Sequence, residues 1–321
     1  MNIRFMENRN IFYFISLTLL VVSVLLLSIK GLNYGIDFKG GNILHVTFDN
    51  PTNENAIRDA FKKIGETNSL YFSKDANALV VQNVANSKVK DREFIIQYPA
   101  STKESLEVSK SHDVIISSLK KIIPFSTETL EVSNIGPTIG EEMKKNGIIA
   151  AVISCIGILL YLGWRFDFAS ASGVVIAVVH DLLITLGFIA AMRIEFDTAV
   201  LAAVLTLLGY SVNDSIVIFD RIRENIKISK NDVTYGKIID NSINQSLART
   251  VNTTITTLLA LIALTLYGGN SIYGFAVALT FGCVIGTFSS NCIAAPVVSD
   301  LFKMEKKTKG SDNSGFGISH S

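Results

Sequence analysis

GYSVNDSIVIFDRIREN, residues 209–225, closes an apolar run that opens near Thr198 and is long enough to cross a bilayer. Yet Asp214 sits inside that run, six residues before the charged exit that begins at Asp220. A carboxylate about 9 Å of helix from the nearest end has no bulk water to solvate it, so the surrounding chain must explain it. Of 321 residues, 49% are hydrophobic, and the mean hydropathy is +0.39. The apolar residues gather in runs of membrane-crossing length, so the medium is lipid. A net charge of +1 gives no whole-chain sign of nucleic acid or of an acidic partner.

Six spans are expected. Residues 11–29 hold no charge, and further runs cover residues 147–162, 168–192, 198–219, 251–266 and 272–298. The first run exceeds the usual core of a secretory signal, and LLLSIKG offers no small-x-small cleavage site, so it reads as a retained anchor. Basic residues in the short loops set the orientation. Arg4, Arg9, Arg165, Arg221, Arg223, Lys227, Lys230, Lys237 and Arg249, with the lysines after 302, fall on one side; the short loops of the other hold Arg193. Both termini are therefore expected in the cytoplasm, with the long segment after the first span outside. Cys155, Cys283 and Cys292 lie in predicted spans, so the outer segment has no cysteine for a disulfide framework.

That outer segment, residues 33–146, reads as a domain of its own. NILHVTF, ALVVQNV, EFIIQY and TETLEVS are strand-like, while residues 53–65 and 105–123 carry apolar residues at helical spacing. The order β-α-β-β-α-β, with YFS near Tyr71 as a possible extra strand, suits a ferredoxin-like α+β sandwich. It shows no His/Cys cluster, nucleophile elbow or phosphate loop, so no metal or cofactor is expected. NYGIDFKGGN before it supplies Gly35, Asp37, Gly40 and Gly41; SNIGPTIGEEMKKN after it supplies Gly136, Pro137 and Gly140. These glycines either make turns and break the last strand or act as hinges on which the domain swings. The expected domains are residues 1–32, 33–146, 147–300 and a disordered Gly/Ser-rich tail at 301–321.

GIDFKGG, GPTIGEEMKKNG, the His180-Asp181 pair, GYSVNDSIVIFDRIREN and SLARTVNTTITTLL occur in this order over nearly the whole chain. Together they resemble the SecD/SecF family of bacterial export proteins. Six spans, one modest outer domain and NDS in the fourth-span motif place the likeness on the SecF side. The resemblance implies a polytopic α-helical protein forming half of a twelve-helix RND-like bundle in the cytoplasmic (inner) membrane. It implies a SecD-like six-helix subunit, the SecYEG translocon and a translocating polypeptide as partners, with no cofactor and the proton gradient as the energy source.

A charge at mid-span costs about 2.5 to 3.5 kcal/mol on insertion scales, so intramembrane acids are functional candidates. Asp220 and Glu224, with Arg221 and Arg223, read as an interfacial cluster. Arg249 opens the fifth span from the cytoplasmic side, and Asn252, Thr253, Thr254, Thr256 and Thr257 follow it. An ion pair between Asp214 and Arg249 is expected, serving either as a fixed register pin or as a proton relay. The resemblance implies the relay. Asp181 is either a carboxylate bonded to nearby groups or a further relay member; it and His180, about 100° apart on the helix, should not face one partner. Gly274, Ala278, Gly282 and Gly286 form a small-residue stripe suited to packing within the chain or against another subunit. The competing readings are a solitary RND-type exporter of small molecules or lipids, a passive scaffold and an intramembrane aspartyl protease, whose GxGD pattern the chain lacks.

Overall fold

The structure is a computed structural model that describes residues 3–67, 79–83, 92–98, 105–125, 131–135, 137–229 and 233–300. Among these, six helices are long and apolar enough to span a membrane. They are α1 (Arg9–Lys30), α5 (Pro137–Arg165), α6 (Phe168–Met192), α7 (Thr198–Ile228), α8 (Tyr235–Tyr267) and α9 (Asn270–Ser289), the last continued by a π turn over Ser290–Ala294. Burial divides them. In the third and fourth spans 56% and 50% of the most apolar window is buried, against 6% in the second. α6, α7 and α9 thus make the inner layer, while α1, α5 and α8 turn apolar faces outward, with Phe14, Leu160 and Leu259 exposed as lipid-facing residues are.

Several helices run further than hydropathy shows. α5 begins at Pro137, where a missing N–H costs nothing in a first turn. The helix thus opens ahead of the apolar run expected from residue 147, because polar residues such as Glu141, Glu142, Lys144 and Lys145 continue a helix as readily as apolar ones. α7 and α8 likewise extend as polar helices past the membrane run, closing toward one another at residues 228 and 235.

The segment between α1 and α5 forms a four-stranded antiparallel sheet in the order β3 (Val80–Asn83), β4 (Glu93–Tyr98), β2 (Gly41–Thr47), β5 (Glu131–Ile135). Two helices, α3 (Glu54–Thr67) and α4 (Ser105–Ile122), complete it. Strand alternation does what the sequence promised: Leu44 pairs with Ile96 and Val46 with Phe94, and all four side chains are buried. Ile57, Phe61 and Ile64 from α3 and Ile115 and Leu119 from α4 fill the same core. The possible extra strand near Tyr71 and the tail at 301–321 lie outside the described residues.

The entry segment does not hang free. β1 (Asn33–Tyr34) pairs in parallel with β6 (Glu195–Phe196), in the loop between α6 and α7, and a single turn, α2 (Ile36–Lys39), follows. Gly35 N–H donates to Phe196 O at 2.9 Å, and Asp37 Oδ2 accepts from Thr198 N at 2.9 Å and Thr198 Oγ1 at 2.6 Å. Tyr34, Phe38 and Phe196 pack with ring centroids 5.8 to 6.2 Å apart. The two glycine motifs also meet. A Cβ on Gly140 would stand 2.7 Å from Gly40 N, closer than real atoms approach, so glycine is needed for α5 to lie against α2. Gly40 itself has φ of 72° and ends that turn. Gly35 and Gly41 are close-packing points too, against Glu195 and against Tyr98 O. Gly136 lies outside the described residues; β5 ends at Ile135 and α5 opens at Pro137. The motif residues are clasped in this arrangement, not strung out as a loose linker.

Candidate functional site

Two carboxylates are buried in the bundle, Asp181 at 1% exposure and Asp214 at 3%. They stand in opposite conditions. Asp181 on α6 is fully engaged. His180 Nδ1 lies 2.9 Å from its Oδ1, while the hydroxyls of Ser211 on α7 and Ser289 at the end of α9 each donate to Oδ2 at 2.6 Å. His180 and Asp181, neighbours on α6, thus bond to each other, while the other oxygen of Asp181 is met by serines from α7 and α9. Ser211 and Ser289 were not singled out from sequence; a serine within an apolar helix was the available signal. Gly286 makes the contact possible, since a Cβ there would lie 3.6 Å from Asp181 Oδ2 and 3.4 Å from Ser211 Cβ.

The rest of that small-residue stripe serves the same approach. A Cβ on Gly282 would meet Leu207 Cδ2 at 2.6 Å and one on Gly274 would meet Val200 Cγ2 at 2.9 Å, while Ala278 is 1% exposed in the cluster that includes both α7 residues. The stripe therefore faces α7 of the same chain.

Asp214, on α7, has none of this support. Its Oδ2 has no hydrogen-bond partner, and among the described residues no hydrogen bond or ion pair reaches the side chain. Arg249 is near enough for its charge to act on Asp214, but the guanidinium lies on the exposed side of α8 and the expected ion pair is absent. Helix rotation is the cause. Thr250, the next residue, turns inward at 1% exposure, and a step of about 100° carries Arg249 outward. Asn252 and Thr256 share that exposed side, whereas Thr254 turns in, accepting from Tyr210 OH at 3.2 Å and meeting Thr287 Oγ1 at 2.8 Å.

Asp220 pairs across helices and not within its own. Arg165 Nη2 from α5 bonds both its oxygens at 2.8 and 2.9 Å, while Arg221 reaches Glu224 and Gln245. Opposite this end, Glu195, Asp197 and Asp37 gather at the clasp. Burial, then the neighbouring Asp197 and Asp37 charges, push the Glu195 carboxyl above its usual range; burial first also raises Asp197. Among the described residues no cluster of His, Cys, Asp or Glu is arranged to hold a metal.

The comparisons with known proteins agree with this architecture. The family profile described as "Protein export membrane protein SecD/SecF, C-terminal" matches residues 114–304, and the "SecD/SecF GG Motif" profile matches residues 25–52. The protein translocase subunit SecF of Rickettsia prowazekii is 38% identical over 308 residues, covering 95% of this chain and 92% of that one. Its Rickettsia typhi counterpart is 37% identical over 309 residues, covering 96% and 94%. The crystal structure of SecDF from Thermus thermophilus, described as a translocon-associated membrane protein, superposes with a TM-score of 0.77 at 30% identity. It covers 94% of this chain, which spans only 39% of the SecDF chain. A second SecDF structure, in a super-membrane-facing form, gives a TM-score of 0.68 with 96% and 40% coverage. A profile matching more than half the residues, relatives matched almost end to end, and a common bundle lead to one conclusion: the chain belongs to the SecD/SecF family of protein export membrane proteins.

Proposed function

We propose that this chain is a SecF-type accessory subunit of the protein translocase that uses inward proton flow to promote late steps of export across the cytoplasmic membrane. The observation that carries the reading is Asp214, buried at 3% exposure with a carboxylate oxygen unmet. A buried charge without a partner is costly, so this arrangement suits the protonated half of a cycle. In the other half the acid is ionised and Arg249 swings inward to pair with it. Two packings of one bundle, biased by a proton, make a switch, and one charge crossing 100 mV supplies about 2.3 kcal/mol to drive it.

A SecD-like six-helix subunit is the natural cover for the outward side of α8. Arg249, Asn252 and Thr256 are exposed there at membrane depth, where lipid is a poor partner. The relatives' names and the greater length of the solved SecDF chains support this pairing. The translocon and the unfolded polypeptide are the further partners, and no cofactor takes part. The outer domain takes the ferredoxin-like role of holding the emerging chain. Its strand order, with the first and third strands of the β-α-β-β-α-β run central, supports that reading. Both termini lie in the cytoplasm and the domain outside.

In vesicles that export a reporter protein, Asp214→Asn should assemble normally yet lose the stimulation given by an imposed proton gradient. Arg249→Met should behave alike. Gradient-dependent export of wild-type size by Asp214→Asn would refute the relay, and failure to copurify a second six-helix subunit would refute the partner.

A further inference from the structure

On α8, Ser242, Ser246, Thr250 and Thr254 recur every four residues, and all four are buried. α7 runs antiparallel beside them, in a register fixed by three bonds: Tyr210 OH to Thr254 Oγ1 at 3.2 Å, Arg221 Nε to Gln245 Oε1 at 2.7 Å, and Asn225 Nδ2 to Ser242 Oγ at 2.8 Å. That register sets Asp214 level with Thr250. Three of the four hydroxyls donate to the carbonyl four residues earlier: Ser242 to Ile238 at 2.7 Å, Ser246 to Ser242 at 3.0 Å and Thr254 to Thr250 at 2.9 Å. This is the ordinary resting place of a hydroxyl in an apolar helix. Thr250 breaks the pattern. Its Oγ1 has no partner, and neither has Asp214 Oδ2 at the same level. An unmet buried polar atom costs about 1–3 kcal/mol, and two of them stand at one level of the α7–α8 pair.

The other end of the row opens outward. Ser242 is bonded to Asn225, which lines a cavity of about 270 Å³ together with Ser229, Asn241 and Gln245, at the loop between α7 and α8. On the orientation proposed above, that cavity faces the cytoplasm.

We propose that Thr250, Ser246 and Ser242 form the exit leg of the proton path, joining Asp214 to the Asn225–Gln245 cavity. The inference rests on the relay reading of Asp214 and adds the route by which its proton leaves. Hydroxyls four residues apart on a helix are separated by about 6 Å, the span of one bridging water, and a hydroxyl both accepts and donates. At each step the hydroxyl takes a proton from the water on the Asp214 side and gives its own to the water on the cavity side, so no net charge remains on any side chain. Charged groups near the leg are Asp214, Arg221 and Glu224 on α7 and Arg249 on α8, and α9 contributes the neutral Thr287 beside Thr254 and Cys283 near Asp214.

The test uses full-length protein with its native partners in energised membrane vesicles, with proton entry followed by a pH-sensitive dye. Thr250→Val keeps the shape and removes the hydroxyl, and should slow proton entry about tenfold, a barrier change of about 1.4 kcal/mol, at unchanged protein content. Thr250→Ser should restore most of the rate, and Ser246→Ala should slow it. Wild-type rates in Thr250→Val, or equal losses in Thr250→Val and Thr250→Ser, overturn the hydroxyl leg. Should Thr250→Val fail to accumulate, a wild-type rate in Ser246→Ala overturns it. Asp214→Asn in the same vesicles separates the two readings: if it blocks proton entry while the hydroxyl variants do not, the relay stands without this route, and if it too conducts normally, both fall.

Discussion

Asp181 and Asp214 sit on adjacent helices of one bundle, both with almost no exposure, yet one is held by three groups and the other by none. The difference separates two uses of a buried acid. Asp181 ties α6 to α7 and to the end of α9, so moving its proton would undo a junction of three helices. Asp214 has an oxygen without a partner, and Arg249 on the neighbouring helix is turned outward. On the proposed relay, the unmet oxygen and not burial alone marks the working acid.

The comparison breaks first, and most visibly, in stability. Asp181→Ala leaves Ser211, Ser289 and His180 without their acceptor, and we expect a loss of about 3 kcal/mol, read as a lower unfolding temperature in detergent and lower membrane abundance. Asp214→Asn should shift stability by less than about 1 kcal/mol, since no bond is removed, while gradient coupling is lost. If that variant unfolds as readily as Asp181→Ala, the two acids do not differ in kind.

A third acid sharpens the contrast from outside the membrane. Burial and the neighbouring Asp197 and Asp37 charges hold the Glu195 carboxyl above its ordinary range while the clasp is closed. A group whose folded value is raised contributes stability that is complete below its free value and is lost as pH rises through the raised one. The clasp of residues 33–39 on residues 195–198 should thus loosen as the outer pH rises through that window. Hydrogen exchange at Gly35 and Ile36, corrected for intrinsic rates, should show this trend, and Glu195→Gln should flatten it. The smallest effect belongs to Asp220→Asn. Its pair with Arg165 is over a third exposed on both sides, and such pairs contribute about 0–1 kcal/mol, less in salt. Both stability and coupling should be nearly unchanged.

Much of this molecule was legible before its structure. Hydropathy runs and strand alternation are properties of neighbouring residues, so the six spans and the β-α-β-β-α-β order could be read along the chain, and Asp214 stood out by its position alone. The residues around it could not. Ser211 and Ser289 lie 30 and 108 positions from Asp181, and nothing in their neighbourhoods points to that acid. The polar stretch at 137–146 misled because hydropathy reports where lipid begins and not where a helix does.

The residues alone determined a six-helix membrane protein with an outer α+β segment, a family likeness and a short choice of working acids, because length, polarity and period are local. Tertiary structure alone decided that Thr250 turns inward at the level of Asp214 while Arg249 turns outward, that the glycine motifs clasp each other, and that Asp181 is fully bonded. Those outcomes depend on how each helix is rotated against its neighbours, and that rotation is fixed only when all the helices pack together.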